Sequence, residues 1–171
     1  MDIILIALRL IHILAGIYWA GAAILVAAFL TPAVRALGPE GGKFMQQLVG
    51  KQQFSMYLSL AAWSSTLAGI VLYWRASVGF QIAWILAPSG FTFTIGALAG
   101  IITIVIGQLV NAPTAARMSA LAKEMQSAGA PPKPDQIAEM QKLQTRLGQA
   151  GVITAILLII ASAAMAIARY V

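Results

Sequence analysis

The chain has 171 residues, 60% of them hydrophobic and only 9% charged, a balance that a water-soluble single domain of this size does not sustain. Eleven Lys and Arg against five Asp and Glu give a formal net charge of +6, spread too thinly to be a nucleic-acid footprint. With no Cys in the chain, disulfides, thiolate metal sites, iron–sulfur ligation and covalent c-type haem attachment are excluded.

A membrane-crossing helix needs about 20 mostly apolar residues for a hydrocarbon core of about 30 Å. Four stretches between ionic residues meet that length, and they predict spans near residues 3–30, 53–74, 89–111 and 149–168 of a single transmembrane domain covering 1–171. The third uncharged run is too long for one span, and Pro88-Ser89-Gly90 marks its start. The first segment begins Met1-Asp2-Ile3 without a basic leader, so it reads as a retained span and not as a cleaved signal peptide. These apolar runs far exceed the alternating segments of about 10 residues that build membrane barrels. The expected fold is therefore all-α, an integral membrane four-helix up-and-down bundle with a cytoplasmic helical hairpin between the third and fourth spans.

Basic residues in loops set orientation. The connections 31–52 and 112–148 hold Arg35, Lys43, Lys51, Arg117, Lys123, Lys133, Lys142 and Arg146, whereas the opposite side has only Arg9, Arg75 and Arg169. Eight against three puts both termini on the outer, periplasmic side of a bacterial inner (plasma) membrane. Tyr73, Trp74, Phe80, Trp84, Phe91 and Tyr170 lie near the outer ends and fit an interfacial aromatic belt.

The 38–52 connection reads as a turn and a short interfacial helix. Between the third and fourth spans, helices are expected over 114–127 and 136–149, separated by Ala128-Gly129-Ala130-Pro131-Pro132-Lys133-Pro134, with Asp135 as N-cap of the second. That second helix is expected to continue into the fourth span, where Gly148 and Gly151 could bend it.

Helices in lipid associate through close packing at small residues and through interhelical hydrogen bonds. In the third span Gly96, Gly100, Thr103, Gly107 and Asn111 share one face at spacings of 4, 3, 4 and 4, which should meet a neighbour. Gly151, Ala155 and Ser162 form a weaker stripe on the fourth span, and Ser55, Ser59, Trp63, Thr66 and Tyr73 a polar and aromatic one on the second.

Arg9, His12, Gly16 and Trp19 share one face of the first span at spacings of 3, 4 and 3. Arg9 can extend its guanidinium back toward the outer headgroups. His12, the only histidine, sits about 12 Å deep at 1.5 Å per residue, too deep for an imidazole to reach water. Gly16 leaves room beside it for a flat ligand or a close neighbouring helix. Two readings follow: a haem-iron or copper ligand, or a neutral His bonded to a Ser, Thr or backbone carbonyl of another span. One His cannot supply two imidazoles to a haem, so a shared site would need a second chain, and a single-chain site Met, Tyr or an open position. Met165 is the main Met candidate toward the outer half.

The pattern His12-x6-Trp19-x-Gly21, followed by Phe29, Pro32 and Arg35, with Asn111-Ala112-Pro113 at the exit of the third span, resembles the CopD-like membrane proteins, copper-resistance proteins and small relatives. It is also similar to the HemJ-type protoporphyrinogen oxidases, which are associated with haem. The resemblance implies a metal-proximal His12, with Trp19 and Gly21 beside it, and haem b or copper as cofactor. The later-span Lys of the oxidases has no counterpart in the third span, which argues against that activity, and outer-face Met or His groups for copper are sparse. The expectation is haem or copper binding for electron transfer or metal handling. The alternative is a non-catalytic subunit or assembly protein that uses the glycine face of the third span and the cytoplasmic hairpin. Expected partners are the lipid bilayer and either a second copy or a larger membrane complex, with no nucleic acid. No acid–base pair is recognisable, so no catalytic residue is assigned.

Overall fold

The computed structural model describes residues 2–129 and 131–171, apart from the side chain of Pro39. Every regular element among them is helical. In chain order these are α1 (Ile3–Leu25), α2 (Thr31–Ala36), α3 (Pro39–Gln46), α4 (Phe54–Ala76), α5 (Ile82–Leu86), α6 (Pro88–Ile106), α7 (Ala112–Ser127) and α8 (Pro134–Ile167). Wider π-helical turns at Val26–Leu30 and Gly107–Asn111 join α1 to α2 and α6 to α7, and a third, Gln47–Lys51, follows α3. Four continuous helices, Ile3–Ala36, Phe54–Ala76, Pro88–Ser127 and Pro134–Ile167, are long and apolar enough to cross a membrane.

The first and third of these run further than the uncharged stretches suggest because their prolines do not stop them. A proline ring collides with the carbonyl four residues back. For Pro32 and Pro113 those carbonyls belong to Ala28 and Leu109, which both lie inside a π-helical turn. The wider turn accommodates the ring and the helix continues. The helix expected over 114–127 therefore starts at Ala112 as an extension of the third span.

Helix α8 begins at Pro134, not at Gln136, and runs without interruption through Gly148 and Gly151. Asp135 sits in its first turn. The capping contact comes instead from the Gln136 side chain, whose Oε1 accepts the Lys133 N–H at 3.1 Å. Gly148 makes room for a cation: a Cβ built there would stand 2.5 Å from Nη2 of Arg35, which donates to the Gln144 carbonyl at 3.3 Å.

Helices α1 and α4 pack along their lengths, as do α6 and α8, while α4 with α6 and α1 with α8 touch over shorter stretches. Asp2 of the first pair meets Arg75 and His12 meets Ser65, so α1 and α4 run antiparallel. Gly96 against Ala161 and Ala164, with Arg117 of α7 against Glu139, gives α6 and α8 the same relation. The buried side chains are mostly small, among them Ala62, Ser65, Ala68, Ala99, Thr103, Ala150, Thr154, Ala155, Ala161 and Ala164, with Trp19, Ile104, Leu121 and Leu158 as larger members. Large aliphatic groups such as Leu14, Leu60, Leu98, Leu109 and Ile156 lie on the outside. Small residues inside and bulky apolar ones outside is the pattern that close backbone approach in a non-aqueous medium favours.

The α7–α8 hairpin is pinned by Arg117. Its Nε donates to Glu139 Oε1 at 2.8 Å and its Nη2 to Oε2 at 3.2 Å, with Glu124 3.6 Å away. The bond to Glu139, then the two carboxylate charges, raise the guanidinium pKa, while desolvation opposes them. Because exposed ion pairs are screened, Arg117→Ala is expected to speed amide exchange modestly in residues 112–143 and to leave α1 and α4 unchanged. Equal acceleration throughout the chain would contradict a local pin.

Candidate functional site

Small residues on two facing helices let α1 and α4 approach closely. A Cβ at Gly16 would sit 3.2 Å from Ser65 Oγ, and one at Gly69 would sit 2.8 Å from Cε1 and 2.9 Å from Nδ1 of His12. The imidazole is thus seated over Gly69, and the Ser65 hydroxyl is seated over Gly16. Ser65 Oγ donates to the His12 carbonyl at 3.0 Å, and His12 Nδ1 lies 2.8 Å from the Ser65 carbonyl oxygen. A carbonyl only accepts, so Nδ1 carries the proton of this bond, and in that tautomer the lone pair is on Nε2. Nε2 has no hydrogen-bond partner among the described residues. Of the two sequence readings, the backbone-carbonyl bond is present, and it occupies only one of the two ring nitrogens.

His12 borders a partly open cavity of about 1110 Å³ between α1, α4, α6 and α8, lined from their Leu5–Ala20, Ser65–Ala76, Phe93–Ile101 and Leu158–Met165 portions and by Arg169 just beyond α8. Small-molecule pockets usually run to about 1,000 Å³ at most, so a ligand the size of a large macrocycle has room. Arg9, Gly16 and Trp19 line the same wall as His12. The four residues grouped from their spacing therefore all border the cavity. Trp19 is nonetheless mainly a packing residue, clustered with Ala62, Ile104 and Leu158.

The second helical pair brings Gly100, Ser162 and Met165 to the cavity. Gly96 is close-packed, since its Cβ would meet Ala161 O and Met165 Cγ at 3.2 Å and Ala164 Cβ at 3.3 Å. Gly100 differs: nothing lies within 4 Å of its Cβ position, and it borders the cavity. Gly107 and Gly151 also meet nothing within 4 Å. Only Gly96 of these four has that close contact.

Aromatic side chains line the end of the cavity near Arg75. Tyr73 packs on Phe80 with centroids 6.0 Å apart, edge-on to Trp84 at 5.5 Å, and Trp84 stacks on Phe93 at 6.2 Å. All four border the cavity. Tyr73, Phe80 and Trp84, expected in an interfacial belt, thus also form part of its wall. The hydroxyl of Tyr73 is 2.6 Å from Thr94 Oγ1. A tight turn places Phe80: Val78, Gly79 and Phe80 have φ of 51°, 79° and 64°, a left-handed conformation unfavourable to Val and Phe. Buried Ser77 holds the turn by accepting the Phe80 N–H at 2.9 Å.

The contacts that sequence reasoning missed are Ser65 and Gly69. Their small-x3-small spacing was the available signal; the stripe read on the same helix, Ser55, Ser59, Trp63, Thr66 and Tyr73, reaches the cavity only through Thr66 and Tyr73. Among the described residues, no three His, Cys, Asp or Glu side chains gather as a metal site. Comparison with protein families, curated proteins and solved structures finds no match to this chain.

Proposed function

We propose that this is a multi-pass protein of a bacterial plasma membrane, an up-and-down bundle of four spans with both termini outside, whose cavity holds a haem through His12 for electron transfer. Four long apolar helices and the eight-to-three division of basic residues support the membrane placement and orientation. The single observation that carries the ligand reading is the state of His12. Its Nδ1 is committed to the Ser65 carbonyl, its Nε2 is unpartnered among the described residues, and the residue borders a large, mostly apolar cavity. Metal-bound histidines characteristically have their other ring nitrogen fixed by an outer hydrogen bond.

The donor set favours haem over copper. A porphyrin brings four nitrogens of its own and asks the protein for one or two ligands, which His12 and Met165 on the same cavity could supply. A copper ion must take most of its ligands from side chains, and no cluster of His, Cys, Asp or Glu is present among the described residues. When bound, haem supplies one-electron redox chemistry, tuned by axial ligand and burial. The chain's own part is to hold the imidazole in one tautomer, to exclude water with apolar walls, and to flank the ligand with Trp84 and Phe93.

The test is the absorption spectrum and iron content of protein purified in mild detergent from haem-replete cells. A Soret band with stoichiometric iron is expected, lost in His12→Ala. A colourless, iron-free wild-type protein, both as isolated and after incubation with haem, would remove the proposal.

A further inference from the structure

The cavity is apolar along most of its wall but not at its outer end, where Arg9, Arg75 and Arg169 border it from α1, α4 and the end of α8. The acids of the chain are distributed very differently. Glu40, Glu124, Asp135 and Glu139 lie in the connections at the opposite end, and Asp2 alone accompanies the three arginines. Asp2 is already engaged: its Oδ2 accepts from Arg75 Nη2 at 2.7 Å, and its Oδ1 caps α1 at the Leu5 N–H. Arg9 and Arg169 have no ion pair among the described residues.

Arg9 and Arg169 are both exposed, and two guanidiniums without an acidic partner at the mouth of an apolar cavity attract negative charge to that mouth. A guanidinium also has the planar fork that matches carboxylate geometry. A neutral, fully apolar occupant such as a quinone would leave this end unused.

We infer that the outer rim of the cavity is an anion site in which Arg9 and Arg169 hold acidic groups of an amphipathic ligand whose apolar body lies against His12, Trp84 and Phe93. The ligand class is a planar or elongated hydrophobic molecule with carboxylates at one edge. Asp2 acts as an internal competitor, keeping Arg75 neutralised until a ligand acid takes its place. This rests on the cavity being the ligand site proposed above, but it does not require iron or a bond to His12.

The probes are metal-free protoporphyrin IX, a dicarboxylate, and its uncharged dimethyl ester, each titrated into the full chain in phosphatidylcholine nanodiscs, where no anionic lipid competes. Binding is followed by quenching of tryptophan fluorescence, to which Trp19 and Trp84 on the cavity wall report. The free acid is expected to bind about tenfold or more tightly than the ester, as charge-assisted pairs of this kind imply. Arg9→Gln combined with Arg169→Gln should reduce that preference to about twofold or less, and Asp2→Asn should enlarge it. Equal binding of acid and ester by the unaltered chain overturns the inference without involving any variant. Undiminished preference in a well-folded Arg9→Gln, Arg169→Gln protein does so as well.

The two proposals fail separately. If acid-selective binding persists in a chain that acquires no His12-dependent Soret band, the rim stands and the haem reading falls. If the Soret band forms while acid and ester bind alike, the haem reading stands and the rim falls.

Discussion

Gly69→Ala is expected to eject the imidazole of His12 from its seat and, with it, to abolish the proposed haem binding while the chain still folds. The new methyl would lie 2.8 Å from Cε1 and 2.9 Å from Nδ1, inside any real carbon contact. Swinging away costs the ring its bond to the Ser65 carbonyl, made by Nδ1 at 2.8 Å. Overpacking of this kind costs about 1–3 kcal/mol, which should appear as a lower detergent melting temperature. The double variant His12→Ala, Gly69→Ala separates the two effects. With the ring gone the methyl has space, so stability should recover relative to Gly69→Ala while the Soret band stays absent. A double variant no more stable than the single one would mean that the strain lies elsewhere.

Gly90→Ala is expected to be the most damaging single methyl in the chain. A Cβ at this position would fall onto the carbonyl group of Trp84 and against its ring, and Gly90 is buried. Here the obstacle is backbone, held in place by α5 and the start of α6, so no rotamer change relieves it. A loss of about 3 kcal/mol or more is anticipated, at or beyond the upper end of overpacking costs. The Trp84–Phe93 stack should be disturbed with it, shifting tryptophan emission. Gly151→Ala is the matching control: nothing lies within 4 Å of its Cβ position, and alanine is the better helix former, so stability should be unchanged or slightly higher. Comparable losses at both positions would show that close approach is not what Gly90 provides.

The four long apolar helices were legible from charge placement alone, because an ionic group is so costly in hydrocarbon that a mostly apolar run of about 20 residues without one marks a span. The Arg9–His12–Gly16–Trp19 face was equally legible, since helical periodicity is a local property. Its partner was not. Which face of α4 meets His12 depends on relative rotation of two helices, and both the Ser59–Trp63 side and the Ser65–Gly69 side satisfied the rules for membrane packing. The same limit applies to Gly96 and Gly100: one periodic stripe predicts a single seam, but the wall it faces opens into a cavity partway along. The first and third helices were ended too early, ahead of Pro32 and Pro113, because a wider turn can absorb a proline, whereas Pro88 does begin α6.

Those wider turns have one more consequence. Each π-helical segment inserts an extra residue into its helix, and one residue is worth about 100° of rotation about the axis. The continuations α2 and α7 are therefore out of phase with the helices that feed them. A face that is exposed before the turn points elsewhere after it, and Arg35 and Arg117, each beyond such a turn, reach α8. Deleting one residue from Val26–Leu30 or Gly107–Asn111 would restore regular winding and misalign these cross-helix ties, leaving hydrophobicity and span length nearly untouched.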